Sequence, residues 1–135
     1  MNSKTKKETK VILVIEDEQP LLEIIKTTLL KNNFEVVCCR DVISGLKLIN
    51  DQARIDLVWL DHYLLGKETG IDFVVKIKHG HSKNEIPIFV VSVSADFAKS
   101  REYMELGAEK FYTKSDFGLQ EIIDDIKNYF KKNNS

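Results

Sequence analysis

VILVIEDEQP, residues 11–20, runs five apolar residues straight into three acids. The apolar run, rich in Val and Ile and without polar alternation, reads as a strand buried on both faces. Glu16, Asp17 and Glu18 on its tip repel one another unless positive charge sits among them. Taken alone, the acids also suit the first turn of a helix, which favours negative charge. The remainder of the chain decides between the two readings.

At 135 residues the chain is one domain by length and large enough to bury a core without staples. It is 43% hydrophobic and 30% charged, an ordinary globular composition. With 20 basic and 21 acidic residues the net charge is −1, which gives no nucleic-acid footprint. No apolar run approaches a membrane span, and no signal-peptide pattern precedes the first strand, so the expected location is the cytoplasm. Cys38 and Cys39 are neighbours, poor geometry for a disulfide. As strand neighbours they should face opposite sides, with at least one packed in the core.

Apolar runs then alternate with amphipathic stretches. Strands are expected at 11–15, 35–38, 56–60, 87–91 and 110–112, all read as buried parallel strands. Helices are expected between and after them. The first, 19–31, has Pro20 near its start and Leu21, Leu22, Ile25, Thr28 and Leu29 on one face. Residues 42–50 follow the N-cap Asp41, and 70–79 carry Ile71, Val74, Val75 and Ile77 and stop at Gly80. A fourth helix opens at Asp96 and closes at Gly107, and the last covers about 116–131 with Leu119, Ile122, Ile123, Ile126 and Phe130 inward. Strict alternation of five strands and five helices implies an α/β three-layer sandwich around a parallel sheet, with the flavodoxin-like order 2-1-3-4-5. Ligands of such sheets sit outside the carboxyl ends of the strands, beside the point where the order reverses.

Those ends carry a specific set. Glu16 and Asp17 follow the first strand, Asp61 the third, Ser92 ends the fourth, and Lys114 follows the fifth. The second strand offers nothing comparable. Three carboxylates on adjacent tips make a hard oxygen cluster suited to Mg²⁺, which would relieve the repulsion among them. Asp61 is a carboxylate able to act as a nucleophile. Phosphoryl transfer needs placed positive charge and alignment more than acid–base chemistry, and Lys114 and the Ser92 hydroxyl suit it. Each residue alone has a dull explanation as a cap, a loop residue or a solvated lysine. The set does not.

The chain resembles the receiver domains of two-component response regulators, of the single-domain chemotaxis-regulator kind, from about residue 10 to residue 131. The resemblance rests on "VIEDE", on Asp61 in "LVWLDHYL", on Ser92 in "IPIFVVS" and on "ELGAEKFYTK", which ends at Lys114. It implies a receiver domain at 10–131 between a disordered basic tail (1–9) and a short tail (132–135). Asp61 would accept a phosphoryl group from a phosphohistidine of a sensor histidine kinase or histidine phosphotransfer protein. Asp17 and Asp61 would ligand Mg²⁺ with the Tyr63 backbone carbonyl, and Glu16 would do so through water. Ser92 and Phe111 would form the switch, and a downstream protein would read the face of the fourth helix, fifth strand and fifth helix. Such a protein is a signalling phosphoacceptor, not an enzyme on other substrates, and is a monomer or a phosphorylation-dependent dimer. Because the chain stops soon after the last helix, output is expected by protein contact, unless the domain was cut from a longer protein. The alternative is a pseudo-receiver, a constitutive interaction module. A flavin or nucleotide enzyme lacks support, since neither GxGxxG nor GxxxxGK[ST] is present.

The departures from the family pattern are Leu65 for the frequent Pro, Val93 for Ala and Ser115 for Pro. The loop LLGKETG is also one residue longer than the commonest form. A cis bond before Ser115, the counterpart of the family's cis Lys–Pro bond, would cost about 3–4 kcal/mol. His62 is expected on the side of the strand end away from the phosphate. His79 and His81 flank a helix end, where a cation suits the dipole, and lack the partners for a metal site.

Overall fold

The computed structural model describes residues 8–51, 54–79, 85–93 and 97–133. Its elements are β1 (Val11–Ile15), α1 (Gln19–Lys31), β2 (Glu35–Cys39), α2 (Val42–Asp51), β3 (Leu57–Leu60), α3 (Gly70–Lys78), β4 (Ile88–Ser92), α4 (Phe97–Leu106), β5 (Lys110–Thr113) and α5 (Leu119–Asn133). The sheet is parallel throughout in the order β2-β1-β3-β4-β5. This is the flavodoxin-like arrangement that the alternation implied.

Alternate residues along each strand feed two cores. Leu13, Ile15, Val58, Leu60, Ile88 and Val90 pack with α2, α3 and Tyr103 of α4. Ile12, Val14, Leu57, Trp59, Phe89 and Val91 pack with α1 and α5. The central strands β1, β3 and β4 are buried along their whole length, which explains their unbroken apolar runs. β2 is different. It lies at the sheet edge, where Glu35 is exposed and the next four residues are half-buried, so it is not the fully buried strand expected. Cys38 and Cys39 are both free and pack against opposite cores, as strand neighbours should.

Two helices differ from expectation. α3 buries Phe73, Val74 and Ile77, whereas Val75 points outward at 37% exposure. α5 begins at Leu119, three residues late, because Thr113 and Asp116 close a turn ahead of it. The Thr113 hydroxyl donates to the Asp116 carboxylate at 2.8 Å, and the Asp116 amide donates to the Thr113 carbonyl. The helix opens after Gly118, whose amide donates to Glu121 Oε1.

Asp41 caps α2 as expected, accepting from the Ser44 amide at 2.7 Å. α4 ends at Gly107, whose φ of +110° suits glycine. The Lys114–Ser115 peptide is trans, as is every peptide bond among the described residues. Asp96, Gly80 and His81, named above, lie outside the described residues. Among the described residues, no helix is long and apolar enough to cross a membrane.

Candidate functional site

Parallel pairing continues past the strand tips and brings the acids together. The Glu16 amide donates to the Cys39 carbonyl, and the Asp61 amide donates to Ile15 at 3.0 Å. On the far side, the Lys114 amide donates to the Ser92 carbonyl at 2.7 Å. The backbone therefore sets Glu16 beside Asp61, and Lys114 beside Ser92, before any side chain is considered.

The side chains converge. Glu16, Asp17 and Asp61 each present a carboxylate oxygen, all within 4.8 Å of one another. Glu16 and Asp61 are buried, at 1% and 3% exposure, while Asp17 is half-buried. The Lys114 ammonium lies 3.0 Å from Glu16 Oε1 and 3.7 Å from Asp61 Oδ2. That cation answers the question raised by the opening stretch, and Glu18, which is exposed, stays out of the cluster. The second oxygen of Glu16 accepts from the Glu18 amide at 3.2 Å, and Asp61 Oδ1 accepts from the His62 amide at 2.8 Å.

One lysine does not neutralise three acids. Burial, followed by the charge of Glu16, pushes the Asp61 carboxyl up to about 7, although Lys114 and the His62 amide pull against the shift. Burial also raises Glu16, with Lys114 again opposing. A cluster of hard carboxylate oxygens that resists losing its last proton is chemically suited to a divalent cation such as Mg²⁺.

The second strand contributes after all. Arg40, just past β2, directs its guanidinium to the Asp17 carbonyl oxygen through two bonds of 2.9 and 2.6 Å. In this sheet order β2 flanks β1, with Cys39 opposite Ile15, so the residue after Cys39 falls beside the acid pair. The order itself was the signal for Arg40, and the reading of the strand ends missed it.

The loop after Asp61 is tied to α4 twice. His62 turns away from the acids, and its Nδ1 lies 2.7 Å from the Tyr103 hydroxyl. Burial, followed by the charge of Lys99, lowers His62 below its ordinary value, and its Nδ1 shares one hydrogen bond with the enclosed Tyr103 hydroxyl. Tyr63 is exposed, and its hydroxyl accepts from Lys99 Nζ at 2.9 Å. Ser92 is fully buried at the end of β4, and half-buried Phe111 packs 5.7 Å from the Tyr103 ring. His79 caps the C-terminus of α3, its amide donating to the Val75 carbonyl.

A family model for the response regulator receiver domain matches residues 12–127. The chain is 31% identical over 116 residues to the phosphate regulon transcriptional regulatory protein PhoB of Escherichia coli (strain K12), covering 86% of this chain and 49% of PhoB. It thus spans about half the length of the curated relatives it matches. Among solved structures, the receiver domain of the Francisella response regulator 1452 superposes with a TM-score of 0.82 at 23% identity, over 93% of this chain and 99% of that one. The non-phosphorylated HemR receiver domain from Leptospira biflexa does so with a TM-score of 0.78 at 26% identity, over 89% and 93%. The first shows the same fold, and the acid cluster fits a phosphorylation site. On the family match, the chain belongs to the response regulator receiver domains of two-component systems.

Proposed function

We propose that Asp61 is the phosphoacceptor of this receiver and that its phosphorylation by a phosphohistidine partner resets the face made by α4, β5 and α5. The observation that carries this reading is the cluster of Glu16, Asp17 and Asp61 with Lys114 3.7 Å from Asp61. In the transfer, an Asp61 carboxylate oxygen attacks phosphorus as the P–N bond of the phosphohistidine breaks, its electron pair leaving on the imidazole. The His62 amide holds one carboxylate oxygen at 2.8 Å and fixes the orientation of the group. Lys114 draws the carboxylate toward itself and presents positive charge where the phosphoryl oxygens arrive.

Glu16 and Asp17, with Asp61 and the Tyr63 backbone carbonyl, would hold Mg²⁺, which supplies charge to the transferred phosphoryl group. Arg40 keeps the Asp17 backbone in place for that role. The Ser92 hydroxyl then bonds a phosphoryl oxygen, and Phe111 turns toward the space beside it. Moving such a switch from mostly off to mostly on takes about 5.5 kcal/mol of differential stabilisation. Two or three charge-assisted bonds of about 1.5–3 kcal/mol each supply that.

A sensor histidine kinase or histidine phosphotransfer protein acts as donor, in the cytoplasm. An apolar cleft of about 260 Å³ that reaches Lys114, with Ile24 and Phe117 exposed on its wall, offers the donor a surface beside the site. The test is a titration with beryllofluoride and Mg²⁺, a phosphoryl mimic, followed by side-chain NMR. Phe111, Tyr103 and Met104 should shift together. No binding would leave the chain a pseudo-receiver, and binding without a shift would move the output to another face.

A further inference from the structure

α4 sends one fully buried side chain into the core, Tyr103, with half-buried Leu106 packing against the same cluster. Of its ten residues only Tyr103 is buried, and that ring is fully enclosed. The Tyr103 hydroxyl meets Nδ1 of His62 at 2.7 Å, and the His62 amide holds Asp61. The space around the hydroxyl is closed by backbone. A Cβ added at Gly70 would lie 2.3 Å from the Tyr103 oxygen and 2.8 Å from the Asp61 carbonyl oxygen. The Gly70 amide in turn donates to the His62 carbonyl at 3.0 Å. Tyr103 is therefore boxed between the first turn of α3 and the loop that carries the acceptor.

On its other side, the Tyr103 ring packs against Phe111 at 5.7 Å and 38°. Phe111 is half-buried and borders the core that Tyr103 fills. For Phe111 to turn further inward, Tyr103 has to yield, and close packing leaves it no slack. Its hydroxyl cannot move without leaving His62.

We propose that His62 and Tyr103 are positioning residues that set the resting place of α4 and keep Phe111 outward, so that phosphorylation of Asp61 works against their hydrogen bond. This rests on the phosphoacceptor reading above and adds what opposes the switch. A contact made only in the resting state lowers the population of the competent state, and the apparent affinity for an activating ligand falls with it. Losing one neutral hydrogen bond from that state alone corresponds to about a five-fold change. A purely structural pair would contribute equally to both states and leave that affinity untouched.

The probe is beryllofluoride with Mg²⁺, its occupancy read by ¹⁹F NMR in the wild type, Tyr103→Phe, His62→Leu and His62→Asn. Tyr103→Phe keeps the ring and removes only the hydroxyl. Both Tyr103→Phe and His62→Leu should bind about five-fold tighter, with no further gain when combined. His62→Asn, whose amide again offers the Tyr103 hydroxyl a hydrogen-bond partner, should return toward the wild-type affinity. In the wild type, the ¹⁵N signal of His62 Nδ1 should lose its hydrogen-bonded position at saturation. Unchanged affinity in Tyr103→Phe, with the His62 signal still hydrogen-bonded in the saturated wild type, overturns the proposal. A wild type that binds no beryllofluoride overturns the phosphoacceptor reading and the proposal with it, so the two failures are told apart.

Discussion

Asp61→Asn should make the cation-free protein more stable, although it removes the residue the fold is organised to present. Asp61 is only 3% exposed, and burial together with Glu16 lifts its carboxyl from an ordinary value of 3.8 to about 7. The folded chain therefore holds that proton more tightly than the unfolded chain does. Stability from this group is fully present below about pH 4 and is lost as the pH rises through about 7. A rise of about three units, at about 1.4 kcal/mol each, sets a ceiling near 4 kcal/mol at pH 8. More than half of that develops between pH 5 and pH 8. Asparagine keeps the acceptor for the His62 amide but gives up the attraction to Lys114 at 3.7 Å, which reduces the gain. We expect about 1–3 kcal/mol at pH 8, several degrees in melting temperature, shrinking toward pH 5. Urea and thermal unfolding in a chelating buffer at both pH values measure it. A variant no more stable than the wild type at pH 8, or a gap equal at both pH values, would refute the reasoning.

Three further outcomes follow from the same cluster. Lys114→Ala leaves Glu16, at 1% exposure, without its partner and should cost about 2–3 kcal/mol, more at pH 8 than at pH 5. Equal melting of variant and wild type would mean that the pair contributes nothing. Mg²⁺ at ten times its dissociation constant should add about 1.4 kcal/mol to stability in a urea titration. Asp17→Asn should remove most of that gain, and an undiminished gain would place the ion elsewhere. Tyr63, exposed and bonded to Lys99 on α4, should shield an aspartyl phosphate from water. Tyr63→Ala should then speed its loss in a dephosphorylation time course, and an unchanged or slower rate contradicts shielding.

The strands of the sheet centre were legible because β1, β3 and β4 are buried along their length and need unbroken apolar runs. Their carboxyl ends named Glu16, Asp17, Asp61 and Ser92, and the order of the sheet then put these acids side by side. What escaped depended on contacts distant in sequence. His62 and Tyr103 are 41 residues apart, and nothing local to α4 singles out Tyr103 as its buried residue. Arg40 reaches back 23 residues to the Asp17 carbonyl, and the expected strand 35–38 stopped short of it. In α3, nine residues are too few for the helical period to separate Phe73 from Val75, both apolar. The late start of α5 was set by the Asp116 carboxylate engaging Thr113, a side-chain choice that composition does not reveal.

The central claim is that Asp61 takes the phosphoryl group. Incubation with acetyl phosphate and Mg²⁺, followed by intact mass measurement and peptide mapping, tests it directly. The wild type should gain one phosphoryl group on the peptide that carries Asp61, and Asp61→Asn should gain none. Labelling of Asp61→Asn at the wild-type level, or a wild type that stays unlabelled, would contradict the account.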